Sequence, residues 1–116
     1  MTHREEPRLL RLEDTPWSEE ESGVWSREAN IGGERWAVVE YEPGAGRSEW
    51  CETGHRGYVV GGRVEYEFDD GREPLAASAG EAFRLPPAAA GDGAHRGRNP
   101  ASAPARLFLI DDPAPT

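Results

Sequence analysis

Residues 57–68, Gly-Tyr-Val-Val-Gly-Gly-Arg-Val-Glu-Tyr-Glu-Phe, decide the fold class. Gly57 to Val60 is a short apolar run with strand character. Gly61-Gly62 suits a type I′ hairpin turn, which needs positive φ at both central positions. Arg63 to Phe68 then alternates with period two, placing Val64, Tyr66 and Phe68 on one face and Arg63, Glu65 and Glu67 on the other. Strand, tight turn and alternating strand predict antiparallel β-structure.

The same rhythm extends both ways. Upstream, Arg35 to Tyr41 (RWAVVEY) reads as a strand ended by Pro43-Gly44-Ala45-Gly46, and Arg47 to Glu52 reads as another. Downstream, Asp69-Asp70-Gly71 is a tight turn, Arg72 to Ala76 and Ala82 to Leu85 are strands, and Pro86-Pro87 opens a loop through Gly93. Ala94 to Arg98 is short and polar. Ala105 to Ile110 (ARLFLI) is an unbroken apolar run of the kind buried on both faces. About eight strands cut by frequent Gly and Pro, with no repeat and no sustained 3.6-residue period, predict an all-β antiparallel jelly-roll barrel over 34–111. Residues 1–33 read as an acidic N-terminal arm packing on the barrel. Within it, Arg8 to Leu12 is an edge-strand candidate, Thr15-Pro16-Trp17 followed by Ser18 to Glu21 is a helix start that does not develop, and Val24-Trp25 is a short strand. Residues 112–116 are a Pro-rich tail.

Composition narrows the function. A chain of 116 residues with net charge -9 and 36% hydrophobic residues forms one domain with a real core and a charged surface. The acidic balance argues against nucleic acid and anionic membrane, and no apolar stretch approaches the roughly 18 residues of a membrane span. All 13 basic residues are arginine, so lysine Schiff bases, lysine-anchored pyridoxal phosphate and a P-loop are excluded. The start MTHREEPRLL has no uninterrupted apolar core of a signal peptide, and one cysteine forms no internal disulfide; both predict a cytoplasmic protein.

Residues 44–63 read GAGRSEWCETGHRGYVVGGR, and residues 80–99 read GEAFRLPPAAAGDGAHRGRN. These segments resemble the two motifs of the cupin family. Gly61 matches the glycine closing the first motif. Gly80-Glu81, Pro86 and His95-x-x-x-Asn99 match the second, with a longer loop before His95. The string Cys51-x-x-x-His55-x-Gly57-Tyr58 is similar to a subgroup of small bacterial cupins. The resemblance covers residues 34–111 and implies a jelly-roll (double-stranded β-helix) barrel, edge-strand homodimers, and a metal in the barrel. The family's ligand positions, two histidines and a glutamate then a histidine, are occupied here by Glu49, Cys51, His55 and His95. Only the last keeps the family's residue.

Each replacement is itself a donor. Glu49 and Cys51 are two apart on a predicted strand and share a face; His55 follows with the same parity after a bend, and His95 comes from a distant strand. Thiolate with imidazole suits Zn²⁺, or Fe, better than Mg²⁺ or Ca²⁺. Other readings stand beside this one. A lone strand cysteine is often a small core residue, a lone Glu beside a His is often a surface pair, and Cys51 with His55 or His95 can be a nucleophile and its base. Trp36, Tyr41, Trp50, Tyr66, Phe68, Phe83 and Phe108 read mainly as core, with one or two left to line a pocket. Arg63 and Arg84 either bind a ligand carboxylate at the mouth or pair with Glu65, Glu67 and Glu81. A small-molecule substrate or ligand, a metal sensor and a metal-free site all remain open at this point.

Overall fold

The computed structural model describes residues 6–88 and 93–113. His3, most of the loop after Pro87 and the last three tail residues lie outside the described residues. Nine strands are described: β1 (Ser18–Glu21), β2 (Val24–Ile31), β3 (Glu34–Tyr41), β4 (His55–Gly61), β5 (Arg63–Phe68), β6 (Leu75–Ser78), β7 (Ala82–Leu85), β8 (His95–Arg98) and β9 (Ala105–Asp111). They form a six-stranded sheet of order β1-β2-β3-β9-β4-β7 facing a three-stranded sheet of order β6-β5-β8. Every pairing is antiparallel. This is the all-β jelly roll expected.

The core lies between the sheets. Val24, Ala37, Val39, Val59, Val64, Leu85, Ala105 and Leu107 are fully buried there, with Tyr41, Tyr66, Ala77 and Leu109 nearly so. The period-two rule holds in β5, where Val64 and Tyr66 point inward and Phe68 packs against the same cluster. It also corrects the reading of β9. Ala105, Leu107 and Leu109 are buried, but Arg106 is exposed and Phe108 and Ile110 are half-buried. The run is apolar on both sides, yet only one side meets the core, because the outer face of a two-layer sandwich meets solvent.

Other expectations change at the strand level. Arg8 to Leu12 forms no strand; Leu9 is 81% exposed, and a 3-10 turn follows at Leu12–Asp14. Ser18 to Glu21 is neither helix nor helix start but β1, held by side-chain partners elsewhere: Glu20 pairs with Arg35 and Arg47, and Glu21 accepts from the Ser48 amide at 3.0 Å. Val24-Trp25 opens an eight-residue strand that pairs with β3 along its whole length. Arg47 to Glu52 is not a strand; its bridge-type pairing is limited to Cys51 with His95, and to Gly46 with Arg98 just before it. Trp50, expected in that strand, is 40% exposed.

Gly61-Gly62 does not close a hairpin. Only Gly62 has positive φ, and β4 and β5 lie in different sheets, so the dipeptide carries the chain across the sandwich. A Cβ at Gly62 would stand 2.4 Å from the Pro104 carbonyl oxygen, so that crossing admits no larger residue.

Candidate metal centre

Backbone pairing brings the predicted side chains together. Cys51 and His95 exchange both backbone hydrogen bonds, at 2.7 and 3.0 Å, fixing the loop before β4 against the start of β8. His55 opens β4 and lies opposite Asp111, the last residue of β9. One ligand atom from each of Cys51, His55 and His95 lies within 4.8 Å of the others. Both histidines are buried, and their rings meet edge to face at 4.8 Å. Glu49 is exposed and lies outside this group, on the wall of the same hollow. The parity argument that joined it to Cys51 needs a continuous strand, and residues 47–52 do not form one.

The two imidazoles are held differently. His55 Nδ1 lies 2.8 Å from Asp111 Oδ1, and its Nε2 lies 3.6 Å from Cys51 Sγ. His95 Nε2 is buried and has no hydrogen-bond partner among the described residues. Burial disfavours the Cys51 thiolate, but the neighbouring His55 and His95 imidazoles outweigh it and bring the thiol down to about 5. Burial likewise opposes charge on His55, yet Asp111 and Cys51 lift it to about 9. Asp111 would be raised by burial; the hydrogen bond to His55 and the nearby Arg35 guanidinium, 3.5 Å away, hold it below the usual carboxylate range instead. Both shifts favour the thiolate–imidazolium form of the Cys51–His55 pair, with Asp111 anchoring His55 and a second imidazole beside them.

Sequence reasoning placed Asp111 at the last position of the barrel, after the Ala105 to Ile110 run, and gave it no role. The signal was present: Asp111 keeps the parity of Ala105, Leu107 and Leu109, so it must face inward.

The hollow above the cluster has a volume near 430 Å³. Its wall carries Tyr66 and Tyr41 below and Arg35, Arg47 and Arg96 at the sides. Arg47 donates to Tyr41 Oη at 3.4 Å and pairs with Glu20. Arg96 stacks 4.1 Å over Trp50 and pairs with Glu67. Arg63 and Arg84 stay on strand surfaces: Arg63 lies 3.3 Å from Glu65, and Arg84 forks onto Asp112 at 2.7 and 2.9 Å. The second-motif Asn99 is structural. It is buried, donates to the Tyr41 and Ala103 carbonyls at 3.2 and 2.8 Å, and accepts from the Ala101 amide at 3.0 Å.

Solved structures share this architecture. An RmlC-like cupin from Shewanella frigidimarina superposes with a TM-score of 0.71 at 19% identity, covering 94% of this chain and 93% of that one. The chain is a small cupin in fold. KdgF from a Halomonas species matches with a TM-score of 0.70 at 21% identity, over 95% of this chain and 96% of that one. A sugar phosphate isomerase of the cupin superfamily from Silicibacter pomeroyi matches at 0.69 and 20% identity, over 93% and 77%. No family model and no curated protein matches the sequence of this chain.

Proposed function

We propose that this cupin holds a divalent transition metal, Zn²⁺ or Fe²⁺, on Cys51, His55 and His95 and presents it to a small organic molecule in the hollow. The supporting observation is the buried trio of donors within 4.8 Å, one of them the unpartnered His95 imidazole. Around a tetrahedral zinc, ligand atoms stand roughly 3.5 Å apart, so small side-chain shifts close the trio on an ion. Asp111 then orients His55 from behind, the usual second carboxylate of a metal-bound histidine. Three protein donors leave a coordination position for a ligand, and the metal supplies Lewis-acid polarisation or activation of bound water or dioxygen there. Whether turnover or sensing follows depends on that open position; we take Glu49 as a rim residue of the hollow.

Elemental analysis of protein purified without added metal tests this reading. About one transition metal per chain is expected, lost in Cys51→Ala and His95→Ala. A folded, metal-free protein that takes up neither Zn²⁺ nor Fe²⁺ ends it. His55 is tested by melts with chelator and with excess Zn²⁺: as a ligand, His55→Ala loses the metal-dependent rise, whereas a structural histidine costs about 1–3 kcal/mol in both conditions.

One observation favours a second reading. Asp111, His55 and Cys51 stand in line as carboxylate, imidazole and thiol, the order of an activated nucleophile. Chelator-treated protein alkylated at Cys51 by iodoacetamide, unprotected by Zn²⁺, would favour it over the metal. We also propose a homodimer. Tyr58 and Val60 are 46% and 55% exposed on the outer side of β4, and each sheet has open edges. Light scattering after size exclusion reads this directly, and a 12.7 kDa monomer at micromolar concentration would refute it.

A further inference from the structure

Tyr66 is an unexplained donor in the wall of this hollow. It sits at the middle of β5, is only 3% exposed, and its hydroxyl is buried with no hydrogen-bond partner among the described residues. Its ring lies 5.9 Å from that of His95, edge to face, and 5.2 Å from Phe83. Room for it is made on β8: a Cβ at Gly97 would stand 2.9 Å from Tyr66 Cε1 and 2.6 Å from Tyr41 Oη. A buried phenol without an acceptor carries a desolvation cost that a phenylalanine of the same shape would avoid. Tyr41 next to it differs in having a partner, its oxygen accepting from Arg47 at 3.4 Å.

We propose that the Tyr66 hydroxyl donates a hydrogen bond to a small carboxylate ligand, whose other oxygen occupies the open position beside Cys51, His55 and His95. The proposal rests on the metal reading above and adds the ligand class and the residue that selects it. A carboxylate offers two oxygens a short distance apart, so one group satisfies both the metal and the phenol. Arginine is at hand: Arg35, Arg47 and Arg96 line the hollow with the donors, Arg35 paired with Glu20, Glu28 and Asp111 and Arg47 with Glu20. Of the other acids on the wall, Glu21 is half-buried and Glu49 exposed.

The test uses the Co²⁺-loaded protein and its Tyr66→Phe variant. Loading is read from the thiolate-to-cobalt absorption band, and acetate is then titrated against the visible spectrum, with acetamide as a neutral carbonyl of the same size. Equal Co²⁺ uptake is expected in both proteins. Acetate should bind about ten- to a hundredfold more weakly to Tyr66→Phe, the worth of one hydrogen bond to a charged acceptor, and should bind wild type more tightly than acetamide. In chelator, Tyr66→Phe should melt no lower than wild type, because its hydroxyl has no protein acceptor to lose. Equal acetate affinity in the two cobalt proteins overturns the proposal, as does a lower melting temperature of the variant in chelator. Absence of the cobalt band in wild type, seen before any acetate is added, defeats the metal reading itself and the proposal with it.

Discussion

Two hollows of comparable size mark this barrel, and their linings differ in kind. The one above Cys51 measures about 430 Å³ and gathers a thiol, two imidazoles, two phenols and opposed charges. The other, about 570 Å³, lies on the outer side of the six-stranded sheet. It is lined by Leu9, Leu10, Leu12, Trp17, Val38, Arg27 and Arg106, with Arg11 and Glu13. There Arg27 stacks 4.1 Å over Trp17 and Arg106 approaches the same ring at 5.9 Å, so the arginines clamp an N-terminal segment to the sheet. The larger hollow holds no thiol, imidazole or phenol among its lining residues. Volume alone would have chosen the wrong one; convergence of donors distinguishes them.

Breaking the donors gives the largest effect. In wild type, Zn²⁺ at about a thousand times its dissociation constant should add about 4 kcal/mol of stability, a rise of more than about 10 °C in melting temperature. Cys51→Ser or His95→Ala should abolish that rise, while Trp17→Ala should leave it intact. Loss of the rise in Trp17→Ala would erase the distinction between the hollows. Next, Asp111→Asn should weaken metal binding about 10- to 100-fold without abolishing it, because the amide still fills the space but orients His55 poorly. Isothermal titration reads that change, and unchanged affinity would leave Asp111 no role in the site.

The outer hollow gives the third effect. Trp17→Ala should cost about 1–2 kcal/mol by denaturant unfolding, through lost ring packing and two lost cation–π contacts, with metal affinity unchanged. The smallest effect is electrostatic. Burial opposes ionisation of Glu20, yet Ser26, Arg47 and Arg35 more than compensate and lower its value below 4.5. The folded state therefore binds fewer protons than the unfolded one, so this stability is present above the unfolded value and lost as pH falls through the folded one. Between pH 5 and pH 3, about, Glu20→Gln should lose melting temperature less steeply than wild type, by under about 1 kcal/mol. Equal slopes would place Glu20 outside the network that ties β1 to the rim.

What the sequence made legible depended on whether local pattern or distant partner set the outcome. Val64, Tyr66 and Phe68 were readable because alternation is a property of one strand. Cys51, His55 and His95 were readable from motif spacing, although Cys51 and His95 meet only through a bridge between residues far apart in the chain. Glu49 was joined to them through a strand that does not form, and alternation fails where the backbone is not extended. Ser18 to Glu21 reads as a helix start that does not develop; its strand is set by pairing with β2 and by the contacts of Glu20 and Glu21 with Arg35, Arg47 and Ser48. Gly61-Gly62 has the composition of a hairpin, and only the placement of β5 in the other sheet turns it into a crossing.

The position of β9 has a consequence for how the protein comes into being. It lies between β3 and β4, pairing Val38 with Phe108 on one side and Tyr58 with Phe108 on the other. During synthesis β1, β2 and β3 can zip as they emerge, but the middle of the large sheet is missing until residues 105–111 have left the ribosome. Until then β4 has no neighbour on that side, and His55 waits for Asp111. Closure over such sequence separations is slow, on the order of milliseconds to seconds for sandwiches of this kind. The Cys51, His55 and His95 cluster is therefore among the last features of this barrel to assemble, and a ribosome stalled before Ala105 would expose an unfinished sheet edge rather than a partial site.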